Sequence, residues 1–157
     1  MALPKPPQII ANLQKTFDTE LELHRSCSVA SDGVAMHIAG TAATIDLGGG
    51  YSEGYFVINV TTIAKPIAGT WFDLRLQGAL DSAFASAVTL AKIVLGDSTL
   101  PNNELVGPDK GALGTYFASF NNQYGSEIMR YVRGYVHAGG TPSTGIVFSA
   151  FIAKRSA

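Results

Sequence analysis

The sequence predicts an all-β domain, an antiparallel β-sandwich of jelly-roll kind with an extended N-terminal arm. Three observations point there. Apolar and polar residues alternate with a period of two over several short stretches. Turn residues interrupt the chain at close intervals, with 17 glycines and 7 prolines in 157 residues. No long helical pattern separates the stretches, which argues against a βαβ fold.

Residues 1–16 are proline-rich and read as an arm with at most a turn of helix. Ile10, Leu13, Phe17 and Leu21 are spaced by three and four, which suits one helix face. Residues 17–24 also alternate, with Phe17, Thr19, Leu21 and Leu23 against Asp18, Glu20, Glu22 and His24; this part is read as extended. Residues 41–47 form a short β-branched strand ending at Gly48-Gly49-Gly50. Residues 55–63, rich in aromatic and β-branched types, form another, closed by Lys65-Pro66. Phe72, Leu74 and Leu76 alternate with Trp71, Asp73, Arg75 and Gln77, the cleanest half-buried strand in the chain. Residues 83–95 fit helix or strand, and are read as a loop followed by a strand over 88–95. Residues 113–120 and 128–136 are further strands. Residues 145–153 are nearly all apolar, as expected of a strand covered on both faces. The loops 96–108 and 137–144 carry turn residues. Residues 17–157 thus form one domain, without internal repeat.

Charge limits the partners. Eleven basic and twelve acidic residues give a net charge of −1, so no basic excess exists to hold nucleic acid by its phosphates. Charged residues are only 15% of the chain, against about 25% in ordinary domains, which favours a surface packed against something. No apolar segment approaches the roughly 20 residues of a membrane span, and no signal-peptide core follows Met1. The expectation is a protein made in the cytoplasm that enters no membrane.

Candidate chemistry is sparse, and no catalytic residue, cofactor or metal site is assigned. No two of His24, His37 and His137 have a metal-like spacing of three to five residues, and they are read as surface or turn histidines. Cys27 has no partner for an internal disulfide and is read as a small hydrophobe. No G-x-S-x-G elbow supports a serine hydrolase. Gly48-Gly49-Gly50 lacks the Gly-Lys-Ser/Thr ending of a phosphate loop. Asp97, Asn102, Asn103, Glu104 and Asp109 offer oxygen ligands suited to calcium, but without EF-hand order. Asp18, Glu20 and Glu22 share one face if 17–24 is a strand, either as an acidic strip for a basic partner or as a solvated edge strand whose charges block unwanted pairing. The residues that suit a protein interface are Ile9, Ile10, Leu13 and Phe17 on the arm, with Trp71, Arg130, Tyr131, Arg133 and Tyr135 in the strands. By strand parity Arg130 and Arg133 fall on opposite faces.

Three stretches carry a resemblance. Residues 42–49 read AATIDLGG, residues 71–78 read WFDLRLQG and lead through Asp81-Ser-Ala-Phe84, and residues 130–136 read RYVRGYV before GIVFSAF at 145–151. In this order they resemble the capsid cement, or head decoration, proteins of tailed bacteriophages, over about residues 17–153. The resemblance implies a jelly roll on the outer surface of an icosahedral head. It would lie over junctions between major capsid protein subunits, self-associate as a dimer or trimer, and do no chemistry. Residues 1–16 depart from that compact pattern as an added arm. The competing reading is a carbohydrate-binding β-sandwich, with Trp71, Tyr51, Tyr55, Tyr131 and Tyr135 as a sugar platform. The two differ in where the aromatics point: a platform needs at least two exposed side by side.

Overall fold

The computed structural model describes residues 21–63, 70–96, 113–140 and 145–154. In chain order its first strands are β1 (Glu22–Val29), β2 (Val34–Ala35), β3 (His37–Ile38), β4 (Thr41–Ala42) and β5 (Ile45–Asp46). The long strands β6 (Glu53–Ile63), β7 (Trp71–Ala79), β8 (Val88–Gly96) and β9 (Gly114–Asn121) follow. After β10 (Gln123–Tyr124) and β11 (Glu127–Ile128) come β12 (Tyr131–Gly139) and β13 (Ile146–Lys154). The fold is an all-β sandwich of antiparallel sheets. One sheet has the order β1-β13-β6-β9. In the other, β12, β7 and β8 lie side by side, while β2 and β5 pair in series along the remaining edge of β12. The two-residue pairs β3–β4 and β10–β11 are short hairpins outside the main sheets.

Parity builds the core. Phe72, Leu74 and Leu76 of β7 and Val132 and Val136 of β12 face inward, as do Ile93 and Leu95 of β8. They share one cluster with Phe56, Ile58 and Val60 of β6 and with Ile146, Phe148, Ala150 and Ile152 of β13. Burying each large side chain contributes roughly 1.5–3 kcal/mol. The alternation read at 71–77 is this pattern, whereas that read at 128–136 holds only from Tyr131, because Ile128 belongs to the separate β10–β11 hairpin and Met129, which is buried, and Arg130 lie between the strands. The strand read at 88–95 is β8, where a register shift against β7 leaves Leu90 without a partner on the ladder. The strand read at 113–120 is β9, in which Tyr116, Ala118 and Phe120 turn inward and Thr115, Phe117 and Ser119 outward.

Three expectations are corrected. Residues 41–47 do not form one strand: β4 and β5 are separate two-residue pieces with different partners. β13 is not covered on both faces, because Val147, Ser149 and Phe151 alternate as half-buried residues with a buried inner row. Its outward apolar residues mimic a doubly covered strand in the sequence. Glu22 is not a solvated edge charge: it is buried, and Arg25 donates to its carboxylate from Nε at 3.1 Å. Residues 1–20, including the arm, Asp18 and Glu20, lie outside the described residues, as do Asp97 through Asp109.

The glycine triplet has a structural use. Asp46 Oδ1 accepts the Gly48 N–H at 2.8 Å, and Gly48 turns the chain at φ +80°. Asn122, fully buried, then fastens the loop. Its Nδ2 donates to Gly50 O at 3.0 Å and to Met129 O at 3.1 Å, and its Oδ1 accepts the Ser52 N–H at 2.7 Å. One amide thereby bridges two chain segments about 70 residues apart, as the separations of 70 and 72 in sequence record. Asn122→Ala is expected to cost about 1–3 kcal/mol by stranding these groups. Asn59→Ala, on an exposed outward position, should stay within about 0.5 kcal/mol. Urea denaturation of the two variants beside the parent checks the difference.

Candidate functional site

Two groupings of side chains stand out, one anticipated and one not. The first is the outer face of the sheet built on β7 and β12. Strand parity that points Val132 and Val136 into the core points Tyr131, Arg133, Tyr135 and His137 outward. Across the ladder these meet Ala79, Gln77, Arg75 and Asp73 in turn, and Gly139 meets Trp71. The indole lies directly over Gly139: a Cβ there would fall 2.0 Å from Trp71 Cε2. Glycine at 139 is what lets the tryptophan lie flat on the sheet.

Arg133 is the centre of this face. Its Nε donates to Gln77 Oε1 at 3.0 Å. Its guanidinium carbon sits 4.4 Å from the Phe84 ring centroid and 5.0 Å from that of Tyr135. Phe84 reaches it from a turn in which Asp81 Oδ1 accepts the Ala83 N–H, and Phe84 itself adopts φ +55°. Tyr135 donates its hydroxyl to Gly33 O at 2.9 Å, and its ring contacts His137 at 5.0 Å. Beside them Arg75 Nε donates to Asp73 Oδ2 at 2.9 Å, while the buried Asp73 Oδ1 has no hydrogen-bond partner among the described residues.

Arg130 does not lie on the opposite face from Arg133. It precedes β12, so strand parity does not govern it. It curls back to donate from Nε to Asp46 Oδ1 at 2.9 Å, and lies 5.1 Å from the Tyr131 ring centroid. That guanidinium, with the Gly48 N–H, holds the Asp46 carboxyl down at about 2. Asp32 is likewise lowered, chiefly by the Ala138 N–H that it accepts at 2.9 Å.

Of the anticipated interface residues, Trp71, Arg130, Tyr131, Arg133 and Tyr135 therefore gather on one face; Ile9, Ile10, Leu13 and Phe17 lie outside the described residues. Phe84 and Gln77 were not anticipated. The cross-strand register that pairs Gln77 with Arg133 is invisible in a linear reading.

The second grouping joins His24, Cys27 and His37. β1 has register shifts against β13 between Glu22 and His24 and again between His24 and Cys27. Ser26 between them adopts φ +27°. In a regular strand, residues three apart face opposite sides. Here the irregularity brings both inward, so that Cys27 Sγ lies 3.3 Å from His24 Nε2. His37, at the start of β3, brings Nε2 to 3.7 Å from the same sulfur. His24 is fully buried and stacked on Phe148 at 4.2 Å, which corrects its assignment as a surface or turn histidine. Its Nδ1 accepts the His37 backbone N–H at 3.2 Å, leaving the ring proton on Nε2, 3.2 Å from Cys27 O. His37 Nδ1 is buried and has no hydrogen-bond partner among the described residues. The signal in the sequence is His24-x-x-Cys27, a mixed histidine–cysteine spacing that histidine-to-histidine distances do not report.

Burial pushes the His24 imidazole below its ordinary value of 6.5, assisted by the nearby His37 and opposed by the Cys27 carbonyl, the His37 backbone and Glu22. The folded protein therefore binds this proton less readily than the unfolded chain. Stability is complete above 6.5 and declines as the pH falls below it. Asp46 and Asp32 titrate lower still, leaving this window clear of them. The urea midpoint should drop between about pH 7 and about pH 5, and the His24 ring resonance should titrate below 6.5. Titration at or above that value would refute the assignment.

The chain matches no family model, and a search of curated proteins finds no match.

Proposed function

We propose that this chain is a capsid decoration protein, a structural virion component that binds the outer surface of an icosahedral phage head and reinforces contacts between major capsid protein subunits. The observation that carries this reading is the ordered face around Arg133. Arginine, tyrosine and tryptophan are enriched where proteins bind proteins. Here they are half-buried and already fixed by cross-strand contacts. Fixing them in advance lowers the entropy that binding must remove. Arg133 shared between Phe84 and Tyr135 keeps its shape but retains donors for a partner, since a guanidinium has five N–H groups.

The strand order supports the same reading. Two sheets, β1-β13-β6-β9 and β2/β5-β12-β7-β8, nest the chain as a long hairpin rolled on itself. Such an order is the one that the proposed jelly roll, with its two Greek keys, would have. The low charge and the proline-rich sequence of residues 1–16 suit a protein that covers neighbouring subunits through many modest contacts, which act together by effective concentration. On this reading the protein is made in the host cytoplasm, self-associates as a dimer or trimer, and needs neither nucleic acid, membrane nor cofactor.

The aromatic arrangement favours this over a carbohydrate-binding module. Trp71, Tyr131 and Tyr135 lie half-buried on the outside of one sheet. Tyr55 is on the outside of the other, edge-on to Phe117 at 5.8 Å between centroids. Tyr51 is exposed in the loop before β6. The five therefore do not form one sugar platform.

Arg133→Ala combined with Tyr135→Ala is expected to lower occupancy on DNA-filled, expanded heads by at least about tenfold in co-sedimentation, the scale of a central interface residue. Thr115→Ala, outward on the opposite sheet, should leave occupancy unchanged. Equal binding by the double variant would remove this face from the interface. A glycan array that retained the isolated protein would turn the reading to the carbohydrate alternative.

A further inference from the structure

We propose that His24, Cys27 and His37 form a transition-metal site for an ion of the zinc class, joining the edge strand β1 to the β3–β4 hairpin. The three side chains place one donor atom each within 4.8 Å of the others. A tetrahedral ion bound at about 2.0–2.1 Å by nitrogen and about 2.3 Å by sulfur sets its ligands roughly 3.3–3.6 Å apart. The sulfur of Cys27 is 3.7 Å from His37 Nε2 and 3.3 and 3.9 Å from the two nitrogens of His24. With His24 Nδ1 and His37 Nε2 as donors, an ion would shorten the two sulfur–nitrogen distances by only a few tenths of an ångström, and would draw the two nitrogens, now within 4.8 Å of each other, in to the tetrahedral separation.

The hydrogen bonds assign the donors. His24 Nδ1 carries the lone pair, because it accepts the His37 N–H. Coordination exchanges that long bond for the metal, while the ring's Nε2–H stays directed at the Cys27 carbonyl. A backbone carbonyl holding the far nitrogen of a bound histidine is the usual outer support of such sites. His37 Nε2 already faces the Cys27 sulfur through one long contact, and among the described residues its Nδ1 has no hydrogen-bond partner, so Nε2 is available to an ion. Binding would release the Cys27 thiol proton to solvent and leave a thiolate ligand.

Two imidazoles and one thiolate are borderline-to-soft donors, suited to zinc or copper and poorly suited to calcium or magnesium, which take oxygen ligands. Three protein donors leave a fourth position for water or an outside ligand. Cys27 and His37 are half-buried, so an ion can reach them, whereas His24 is enclosed and anchors the site. The backbone also argues for a site. Two register shifts and a non-glycine residue at positive φ are concentrated in the six residues from Glu22 to Cys27, and such irregularities cluster at functional positions.

The test uses the untagged, reduced, metal-stripped full chain. Cobalt(II) is expected to bind at one equivalent, with tetrahedral visible bands and a thiolate-to-cobalt charge-transfer band in the near ultraviolet. One equivalent of zinc should displace it, and excess magnesium or calcium should not. Cys27→Ser should abolish the charge-transfer band. Cys27→Ser and His37→Gln should each weaken zinc binding by at least about 10–100-fold, a loss that changes in the outer support alone can produce. In the parent chain, which needs no variant to fold, zinc should slow alkylation of Cys27 at least about tenfold, since a metal-bound thiolate is withdrawn as a nucleophile. Cobalt binding without the charge-transfer band, or alkylation unaffected by saturating zinc, would overturn the proposal. Neither outcome bears on capsid binding.

Discussion

Two sheets share one core, and the period-two geometry of the strands that enclose it constrains everything else in the molecule. Each residue that points inward commits its neighbours to point out. In β12 the inward Val132, Gly134 and Val136 leave Tyr131, Arg133 and Tyr135 outside. The interior requires small residues where strands and loops come close. A Cβ at Gly134 would fall 2.1 Å from Met36 Sδ, and Met36 is fully buried. Packing on one side of the sheet therefore fixes the positions of the side chains on the other. The outer face is rigid because a one-residue slip would drive its arginine and tyrosines into the core.

That coupling explains what could be read from the sequence. β7, β9 and β12 alternate clearly because each has one face on the core and one outside it, and hydrophobicity reports that difference. β8 is legible despite Ala91 within it and the alanines at 83, 85 and 87 before it, because Ile93 and Val94 favour a strand. β13 misled because its outward Val147 and Phe151 are apolar as well. The break between β4 and β5 left no mark in composition: β-branched residues at 41–47 satisfy a strand pattern whether or not they share a partner. Arg130 shows the same limit at closer range. Its side was assigned by counting from Arg133, but the strand begins at Tyr131, and counting has no meaning beyond the ladder.

The outer face depends on contacts that span the chain. Arg133 meets Gln77 over a separation of 56 residues and Tyr135 meets Gly33 over 102. Neither is visible without the register. Residue type alone marked arginine and tyrosine as interface candidates, but their fixed arrangement comes from topology. The individual interactions are modest. Arg75–Asp73 and Arg130–Asp46 are ion pairs with partly exposed arginines, and such pairs contribute little to stability. Their consequence is order. Each removes rotamer freedom from a long side chain in the free protein, so less is lost when the face is covered.

β1 shows how an edge can be used. In the described sheet it has a neighbour only on the β13 side, and an exposed edge invites pairing with another chain. Two register shifts interrupt it, and Arg25 folds back onto the buried Glu22 rather than extending the strand. This discourages lateral growth of the sheet. The same interruption turns His24 and Cys27 to one side, where a regular strand would have separated them. These departures from period two thus both blunt the edge and assemble the donor atoms. The histidine–cysteine cluster escaped a reading based on alternation because it exists only where alternation fails.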